Sequence, residues 1–166
     1  MNDQKVSIVI PTWNRSAALI NCIEKLVNEN VTYDKYEILV CDSKSTDDTK
    51  EKINNFILVN SIKNLKIFQC AENSVTLKRN TGIRKAKYEN IVLLDDDCIP
   101  INNFISTYLD HFKTLDNKTI LCGQYRAFQA DLINSNYIRY RDSRNYGSFL
   151  ESKKIRSSII LNIRIL

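Results

Sequence analysis

The sequence predicts an α/β fold with a mainly parallel sheet and flanking helices. Three observations lead there: short β-branched runs alternate with amphipathic helical segments, polar residues follow the predicted strands, and the composition is globular. The chain has 166 residues, 43% of them hydrophobic and 26% charged, which is about the size of one domain. A chain of this length can bury roughly 70% of the surface exposed by its unfolded form, so it can fold without a disulfide or a structural metal.

The first two units of the chain are each predicted as a strand followed by a helix. Residues 6–10 form a β-branched run that Pro11 closes, and residues 36–41 repeat this strand pattern. The first helix is predicted from apolar residues at helical spacing: Leu19, Cys22, Ile23, Leu26 and Val27. The second helix is predicted to start at a capping box and to bury three apolar side chains: Ser45, Thr46, Asp47 and Asp48, then Ile53, Phe56 and Ile57.

The later elements continue the alternation. Residues 65–68 predict a third strand, 76–86 a helix, and 91–94 a fourth strand. The fourth strand is all apolar and is therefore expected at the centre of the sheet. Asn102 or Asn103 is predicted to cap a helix with an apolar face made by Phe104, Ile105, Tyr108, Leu109 and Phe112. Residues 119–122 resemble a fifth strand, and no element is predicted beyond Gly123.

Cysteine usage and the amino terminus indicate a cytoplasmic protein. The five cysteines are widely spaced without a C-x-x-C pair, and the chain has one histidine, so a zinc site is not expected. Most of the cysteines lie in apolar runs, which favours reduced, buried thiols. The amino terminus lacks the layout of a signal peptide, and no apolar stretch reaches the ~18 residues of a membrane span.

The positive charge of the chain is concentrated at its end. The formal net charge is +5, and residues 139–166 hold seven basic and two acidic side chains. A basic segment of this kind is most often a solvated face, but it also suits peripheral contact with an anionic membrane surface. Nucleic acid is not an expected partner.

Polar residues gather where the predicted strands end. In an open parallel sheet, ligands bind beyond the carboxyl ends of the strands. Residues 11–15 follow the first strand, 42–47 the second, and 95–100 the fourth. We therefore expect these three segments to meet at one edge of the sheet.

Three consecutive aspartates, Asp95, Asp96 and Asp97, directly follow the apolar fourth strand. Adjacent like charges repel, so each carboxylate needs water, a donor or a cation. Mg²⁺ and Mn²⁺ prefer carboxylate oxygen and typically take one or two protein carboxylates, which leaves positions for diphosphate oxygens. The alternative is an acidic turn that caps the next helix.

The glycines of the chain argue against two common kinds of nucleotide-binding site. The three glycines, Gly82, Gly123 and Gly147, form neither a P-loop nor a dinucleotide fingerprint. A bound diphosphate would then need a metal and basic side chains, for which the aspartate turn and Arg79 are available. A nucleotidyltransferase is disfavoured because residues 11–15 contain no glycine.

Four segments together resemble family 2 glycosyltransferases: VSIVIPTWNR, EILVCDSKSTDDT, LKRNTGIRKA and IVLLDDD, in this order and spacing. The resemblance covers roughly residues 5–125 and implies the Rossmann-like GT-A fold. By this resemblance, residues 1–125 form the core that binds a nucleotide diphospho-sugar. Residues 126–166 begin an acceptor-side region that is expected to be truncated, leaving the sheet incomplete at the carboxyl terminus.

The resemblance also implies roles for individual residues. Pro11, Thr12, Asn14 and Arg15 would line the nucleotide pocket, and Asp42 and Ser43 would lie near the base and ribose. Ser43 departs from the family, which often has a second aspartate at this position that meets the base. The position of Lys44 is often glycine in the family.

The resemblance assigns the remaining charged residues to the diphosphate and the metal. Arg79 would pair with pocket carboxylates or the diphosphate, with a surface arginine as the alternative. Asp97 is the expected ligand of Mn²⁺ or Mg²⁺, with Asp95 as the second ligand, and Asp95 and Asp96 would contact ribose or metal-bound water. Three other residues or pairs are interpreted as structural: Asp47 and Asp48 at a helix start, His111 on a helix, and Trp13 in packing.

The function implied is inverting, metal-dependent transfer of a sugar from a nucleotide diphosphate to a polysaccharide or lipid-linked acceptor. It would take place in the cytoplasm, with peripheral contact at the inner face of the membrane. In the family the general base usually lies in the second half of the domain, so it is not expected in this chain. The alternative is a nucleotide-sugar-binding fragment without catalysis. The sequence does not predict the sugar, the acceptor or the oligomeric state.

Overall fold

The computed structural model describes residues 3–115, which form a four-stranded sheet with four helices. The elements, in chain order, are β1 (Val6–Thr12), α1 (Ser16–Val27), β2 (Tyr36–Asp42), α2 (Thr49–Val59), β3 (Leu65–Gln69), α3 (Val75–Lys85), β4 (Asn90–Leu93) and α4 (Phe104–Phe112). The predicted fifth strand, Cys122, the boundary at residue 125 and the basic segment 139–166 lie outside the described residues.

The sheet has the order β3-β2-β1-β4, and all of its pairs are parallel. From β1 the chain steps to β2 and β3, and α3 then returns it to the far side of β1, where β4 pairs. Strand order therefore reverses between β1 and β4. In open α/β sheets this reversal opens a crevice at the carboxyl ends of the two strands, which is where ligands bind.

The core lies on both faces of β1 and β2, in which every residue is buried. Successive side chains of a strand point to opposite faces, so a strand buried throughout must be covered on both. One of these faces packs against α3 through a cluster of buried side chains: Val9, Leu39, Cys41, Cys70, Ile83 and Ile91. A Cβ on Gly82 would lie 2.2 Å from Val9 Cγ1, so α3 approaches the sheet at a distance that only glycine allows.

The prediction that Pro11 closes the first strand is wrong, because β1 continues to Thr12. The Val9 carbonyl accepts a hydrogen bond from Leu94 N (3.0 Å), so the polar backbone groups of Val9 face β4. Pro11 lies two residues further on and faces the same side, beyond the last β1–β4 pair, Val9 with Leu93. The missing N–H of proline therefore removes no hydrogen bond from the ladder.

The expectation that the fourth strand is central is not met within residues 3–115. There β4 has four residues and pairs with β1 alone, while β1 and β2 hold the interior positions. An apolar run records burial on both faces of the sheet. It does not record the number of neighbouring strands.

The predicted capping box of the second helix is also wrong. The helix begins at Thr49, and Asp48 occupies the N-cap position without a side-chain hydrogen bond to the helix. Asp47 Oδ1 instead accepts from Thr49 N (3.1 Å) and Thr49 Oγ1 (2.5 Å). Ile53 is buried as predicted, whereas Phe56 and Ile57 are only half-buried.

The start of α4 agrees with the sequence prediction, but the capping group does not. Asn103 occupies the N-cap position with φ 66° and makes no side-chain cap. The carboxylate of Glu29, just after α1, accepts from Ile105 N (2.8 Å) and Ser106 N (2.9 Å). The Glu29 carboxylate, an anion at the positive end of the helix dipole, therefore caps α4 in place of the predicted asparagine.

Candidate functional site

The carboxyl ends of β1, β2 and β4 meet at one edge of the sheet, as expected from the polar segments. Thr12 ends β1, and its Oγ1 donates to Asp96 Oδ2 at 2.7 Å across the β1–β4 crevice. Asp96 is only 5% exposed, so this bond holds the middle carboxylate of the aspartate turn inside the protein. The turn is thereby fixed against the end of β1.

Arg15 lies against the other side of the turn. Its Nη1 is 3.2 Å from Asp96 Oδ1 and 2.7 Å from Asp97 Oδ2. The charge of Asp96, followed by that of Asp97, raises the pKa of Arg15 above its ordinary value. This guanidinium therefore neutralises part of the charge that three consecutive aspartates create.

Asp95 has a different partner, Arg79 of α3, whose Nη2 lies 2.7 Å from Asp95 Oδ1. Arg79 thus contacts a carboxylate of the aspartate turn, while its role toward a ligand stays a prediction. Arg79 Nε is buried and has no hydrogen-bond partner, so the guanidinium has an unused donor.

The aspartate turn does not cap the next helix, since Glu29 accepts from the first amides of α4. The three carboxylates do not converge on one point: Arg79 contacts Asp95, whereas Arg15 contacts both Asp96 and Asp97. Within residues 3–115, no group of three or more His, Cys, Asp or Glu side chains is arranged to hold a metal ion. Asp95 and Asp97 are 55% and 57% exposed, so a ligand can reach both from solvent.

The loop after β2 is organised around a buried carboxylate. Asp42 accepts from Ser45 N (3.1 Å), from Ser45 Oγ (2.5 Å) and from Gln69 Nε2 (2.9 Å). Ser43 Oγ donates to the carbonyl of Glu72, at 2.7 Å. Ser45 of the same loop and Gln69 at the end of β3 thus hold Asp42, and Glu72 in the loop after β3 holds Ser43.

Asn14 joins the loops after β1 and β2. Its Oδ1 accepts from Thr46 N (2.7 Å), and its backbone N donates to Ser45 Oγ (2.8 Å). Asn14 has φ 50°, a conformation that asparagine adopts more readily than most residues. Its side-chain oxygen therefore holds the loop after β2 against the loop after β1. Pro11, which was also predicted to line the pocket, is buried within β1.

Lys78 of α3 is a site residue that the sequence analysis did not single out. It is 4% exposed, and its Nζ donates to the Thr12 carbonyl (3.1 Å) and to Asn73 Oδ1 (3.2 Å). Its spacing was the available signal: Lys78 lies four residues before Gly82 and so shares the helix face that packs on the sheet. Lysine is rarely buried, so a buried lysine at the edge where the strands end is a candidate functional residue.

Three other sequence interpretations can be compared with the structure. Asp47 is structural, but it precedes the helix and also accepts from Ser16 N (3.3 Å). His111 is an exposed residue of α4. Trp13 is 46% exposed, so neighbouring residues cover only about half of its side chain, and its predicted role in packing stays a prediction.

The fold is shared with solved glycosyltransferase structures and is the GT-A fold. The structure of mannosyltransferase PcManGT from Pyrobaculum calidifontis, in complex with GDP-Man and Mn²⁺, matches with a TM-score of 0.63 and 22% identity over 73% of this chain and 36% of that chain. S. aureus TarS 1–349 in complex with UDP-GlcNAc matches with a TM-score of 0.65 and 20% identity over 76% of this chain and 36% of that chain.

The sequence gives the family. The family described as Glycosyl transferase family 2 matches residues 7–163, and this chain belongs to it. Chondroitin synthase of Escherichia coli is 32% identical over 118 residues, which are 70% of this chain and 17% of that protein. Glycosyltransferase GlyG of Streptococcus pneumoniae serotype 4 is 28% identical over 138 residues, which are 83% of this chain and 40% of that protein.

The chain thus spans less than half the length of these two relatives. Within the part that the structure describes, no helix has both the length and the apolar character needed to cross a membrane.

Proposed function

We propose that this chain provides the donor-binding part of a glycosyltransferase that moves a sugar from a nucleoside diphosphate to a polysaccharide or glycolipid acceptor, with inversion at the anomeric carbon. The observation that carries this proposal is the aspartate turn at the β1–β4 crevice, where Arg15 and Arg79 face its carboxylates. Membership of the family supports the reaction class. The names of relatives such as chondroitin synthase and poly(ribitol-phosphate) beta-glucosyltransferase support a polymeric acceptor.

We propose that Asp97 and Asp95 hold Mn²⁺ or Mg²⁺ together with the diphosphate. Their carboxylate oxygens suit these ions, which commonly take one or two protein carboxylates and complete their shell with phosphate and water. Both side chains are more than half exposed, so they can exchange an arginine for a cation. When bound, the metal would stabilise the negative charge that develops on the leaving diphosphate.

The other residues of the edge would orient the donor. Asp42 and Ser43 are held by Ser45, Gln69 and Glu72, which presets them for the base and ribose. Thr12 keeps Asp96 in place, and Asn14 keeps the loops together. Arg15 and Arg79 would exchange carboxylate contacts for diphosphate oxygens, which they can bind through paired N–H groups.

A second candidate is a protein that binds a nucleotide sugar without turning it over. One observation favours it: the five carboxylates of residues 42–47 and 95–97, those of Asp42, Asp47, Asp95, Asp96 and Asp97, all have hydrogen-bond or ion-pair partners. In the described structure none of the five is unpaired, as a base ready to deprotonate the acceptor would be. Release of sugar from a radiolabelled donor, measured with and without an acceptor polymer, separates the two candidates.

Location is a further part of the proposal. The protein would act in the cytoplasm, with residues 139–166 contacting the inner face of the membrane through their basic side chains. Co-sedimentation with anionic vesicles, but not with neutral ones, would support this contact.

Calorimetric titration with UDP, GDP and their sugars, with and without Mn²⁺, tests the donor site. We expect metal-dependent binding of one nucleotide, lost in Asp97→Ala. The matched control is Asp110→Ala, which removes an exposed carboxylate of α4 that pairs only with Lys113 in the described structure. Binding that Asp97→Ala leaves intact would reject the metal assignment, and a folded protein that binds no nucleotide would reject the function.

A further inference from the structure

Lys78 has a buried ammonium group with no counter-ion in the described structure. Its two hydrogen-bond partners, the Thr12 carbonyl at 3.1 Å and Asn73 Oδ1 at 3.2 Å, are both neutral. Among residues 3–115, no carboxylate oxygen lies within 4.0 Å of its Nζ. A lysine ammonium has three donors, so these two contacts leave one N–H unused.

This arrangement is unusual because a buried charge is costly unless it is paired and fully hydrogen-bonded. Two carboxylates are buried on the same edge, but Ser45 and Gln69 donate to Asp42, and Thr12 and Arg15 donate to Asp96. The ammonium of Lys78 therefore remains separate from both. The unused donor of Lys78 is left for an acceptor that residues 3–115 do not supply.

The position of Lys78 indicates which part of a ligand it would meet. The Thr12 carbonyl that accepts from Lys78 also accepts from Ser43 N at 3.4 Å. Ser43 in turn donates to Glu72, which adjoins Asn73. The ammonium thus lies among the ends of β1 and β2 and the loop after β3, on the side of β1 opposite to β4 and its aspartate turn. In the donor site proposed above, Asp42 and Ser43 lie near the base, so the base would lie on the same side of β1 as Lys78.

Resting on the function proposed above, we propose that Lys78 Nζ donates its third hydrogen bond to a carbonyl oxygen of the nucleobase. It is then a specificity-determining residue of the donor site. Uracil, guanine and cytosine carry such an oxygen and adenine does not. A charged donor in a site shielded from water makes a stronger hydrogen bond than a neutral one, so its loss is measurable as affinity.

The test compares wild type with Lys78→Met, which preserves the length and apolar stem of the side chain and removes its charge and donors. The control is Lys85→Met, which removes an exposed cation from the same helix. Each protein is titrated with the nucleoside diphosphate that wild type binds, with its nucleoside, and with inorganic diphosphate. We expect Lys78→Met to weaken the first two by the same factor, about tenfold or more, and to leave inorganic diphosphate unchanged.

The outcomes separate this inference from the function on which it rests. Equal affinity of wild type and Lys78→Met for the nucleoside diphosphate overturns the role of Lys78 alone. A loss that extends to inorganic diphosphate overturns it as well, because Lys78 would then contact phosphate. If the nucleoside binds too weakly to be measured, the affinities for the nucleoside diphosphate and for inorganic diphosphate decide the matter. If wild type binds no nucleotide, both proposals are overturned.

Folding of the variant is checked by thermal unfolding. Because Lys78→Met removes an unpaired buried charge, we expect its Tm to equal or exceed that of wild type. Should Lys78→Met unfold, Lys78→Gln replaces it in the titrations, since glutamine retains N–H donors without the charge. We then expect the affinity for the nucleoside diphosphate to fall below that of wild type because a neutral donor makes a weaker hydrogen bond, and an unchanged affinity would contradict the inference.

Discussion

At the scale of single residues, two arginines and a threonine hydroxyl offset the repulsion among three adjacent carboxylates. Asp96 is buried and accepts from Thr12, whereas Asp95 and Asp97 are more than half exposed and face arginines. Exposed ion pairs contribute only about 0–1 kcal/mol because water screens them. Arg79 can therefore exchange Asp95 for a ligand, and Arg15 can exchange Asp97, at small cost, while the buried Asp96 keeps its hydrogen bond from Thr12.

Lys44 has a left-handed backbone conformation, with φ 53°, in the loop after β2. An L-residue in this conformation costs roughly 1–2 kcal/mol, whereas glycine adopts it without that penalty and loses about 0.5–1 kcal/mol of chain entropy. We expect Lys44→Gly to raise the free energy of unfolding by up to about 1 kcal/mol in urea denaturation.

Lys63→Gly is the control for this prediction. Lys63 is also an exposed loop lysine, and it is not among the described residues with positive φ. Its replacement should lower the free energy of unfolding by about 0.5 kcal/mol because only the entropy cost applies. Equal destabilisation by the two glycines would show that residue 44 carries no backbone strain.

At the scale of elements, α4 depends on a residue far away in the sequence. Glu29 accepts from the amides of Ile105 and Ser106 and from Ser106 Oγ (3.0 Å). Glu29→Ala removes this cap, and we expect the free energy of unfolding to fall by about 1–2 kcal/mol. Hydrogen exchange should accelerate at the amides of Ile105 and Ser106.

Glu24→Ala removes an exposed carboxylate from the neighbouring helix α1 and is the control for the Glu29 variant. It should change the free energy of unfolding by less than about 0.5 kcal/mol. Unchanged exchange at Ile105 in Glu29→Ala would mean that water replaces the carboxylate without loss.

The packing of α3 on β1 sets a second prediction at this scale. A methyl group at position 82 would clash with Val9, which is fully buried and cannot move aside freely. We expect Gly82→Ala to destabilise the protein by about 1–3 kcal/mol, although alanine favours the helix by up to about 1 kcal/mol. Thermal and urea unfolding measure the net effect.

A second substitution identifies the clash. Val9→Ala alone should destabilise the core, but in combination with Gly82→Ala it provides space for the new methyl group. The double variant is then more stable than the sum of the single effects predicts. Strict additivity in this double-mutant cycle would indicate that α3 shifts away from the sheet instead.

At the scale of the whole molecule, the free thiols report how completely the core is closed. Cys22, Cys41 and Cys70 are buried and unpaired, and Cys98 is half-buried, in agreement with the predicted reduced thiols. Burial raises the pKa of both Cys22 and Cys41 to about 12. Thiolates react and thiols do not, so iodoacetamide at pH 8 should label these two residues only as the protein unfolds.

Peptide mass spectrometry after brief labelling checks this prediction, with urea-unfolded protein as the control. The same pKa shifts act on stability: these thiols favour the folded state below a pH of about 9 and lose that contribution as the pH rises toward about 12. The free energy of unfolding should therefore decrease as the pH rises from about 9 to about 12. Rapid labelling of Cys41 in folded protein would contradict a closed core.

Many features of the molecule follow from sequence periodicity alone. The alternation of strands and helices, the parallel sheet and the edge that gathers residues 11–15, 42–47 and 95–97 were all predictable. Strand and helix periods record which faces are buried, and parallel strands bring their carboxyl ends together. The family was also readable from four motifs in register.

The tertiary structure decided the partners of individual side chains. Glu29 caps a helix that begins at Phe104, Arg79 pairs with Asp95, and Lys78 reaches the end of β1. The tertiary structure also determines that β4 is an edge strand among residues 3–115 and that β1 continues past Pro11 to Thr12. The physical reason is that periodicity specifies a face, whereas a hydrogen bond or an ion pair depends on how separate elements are placed in space.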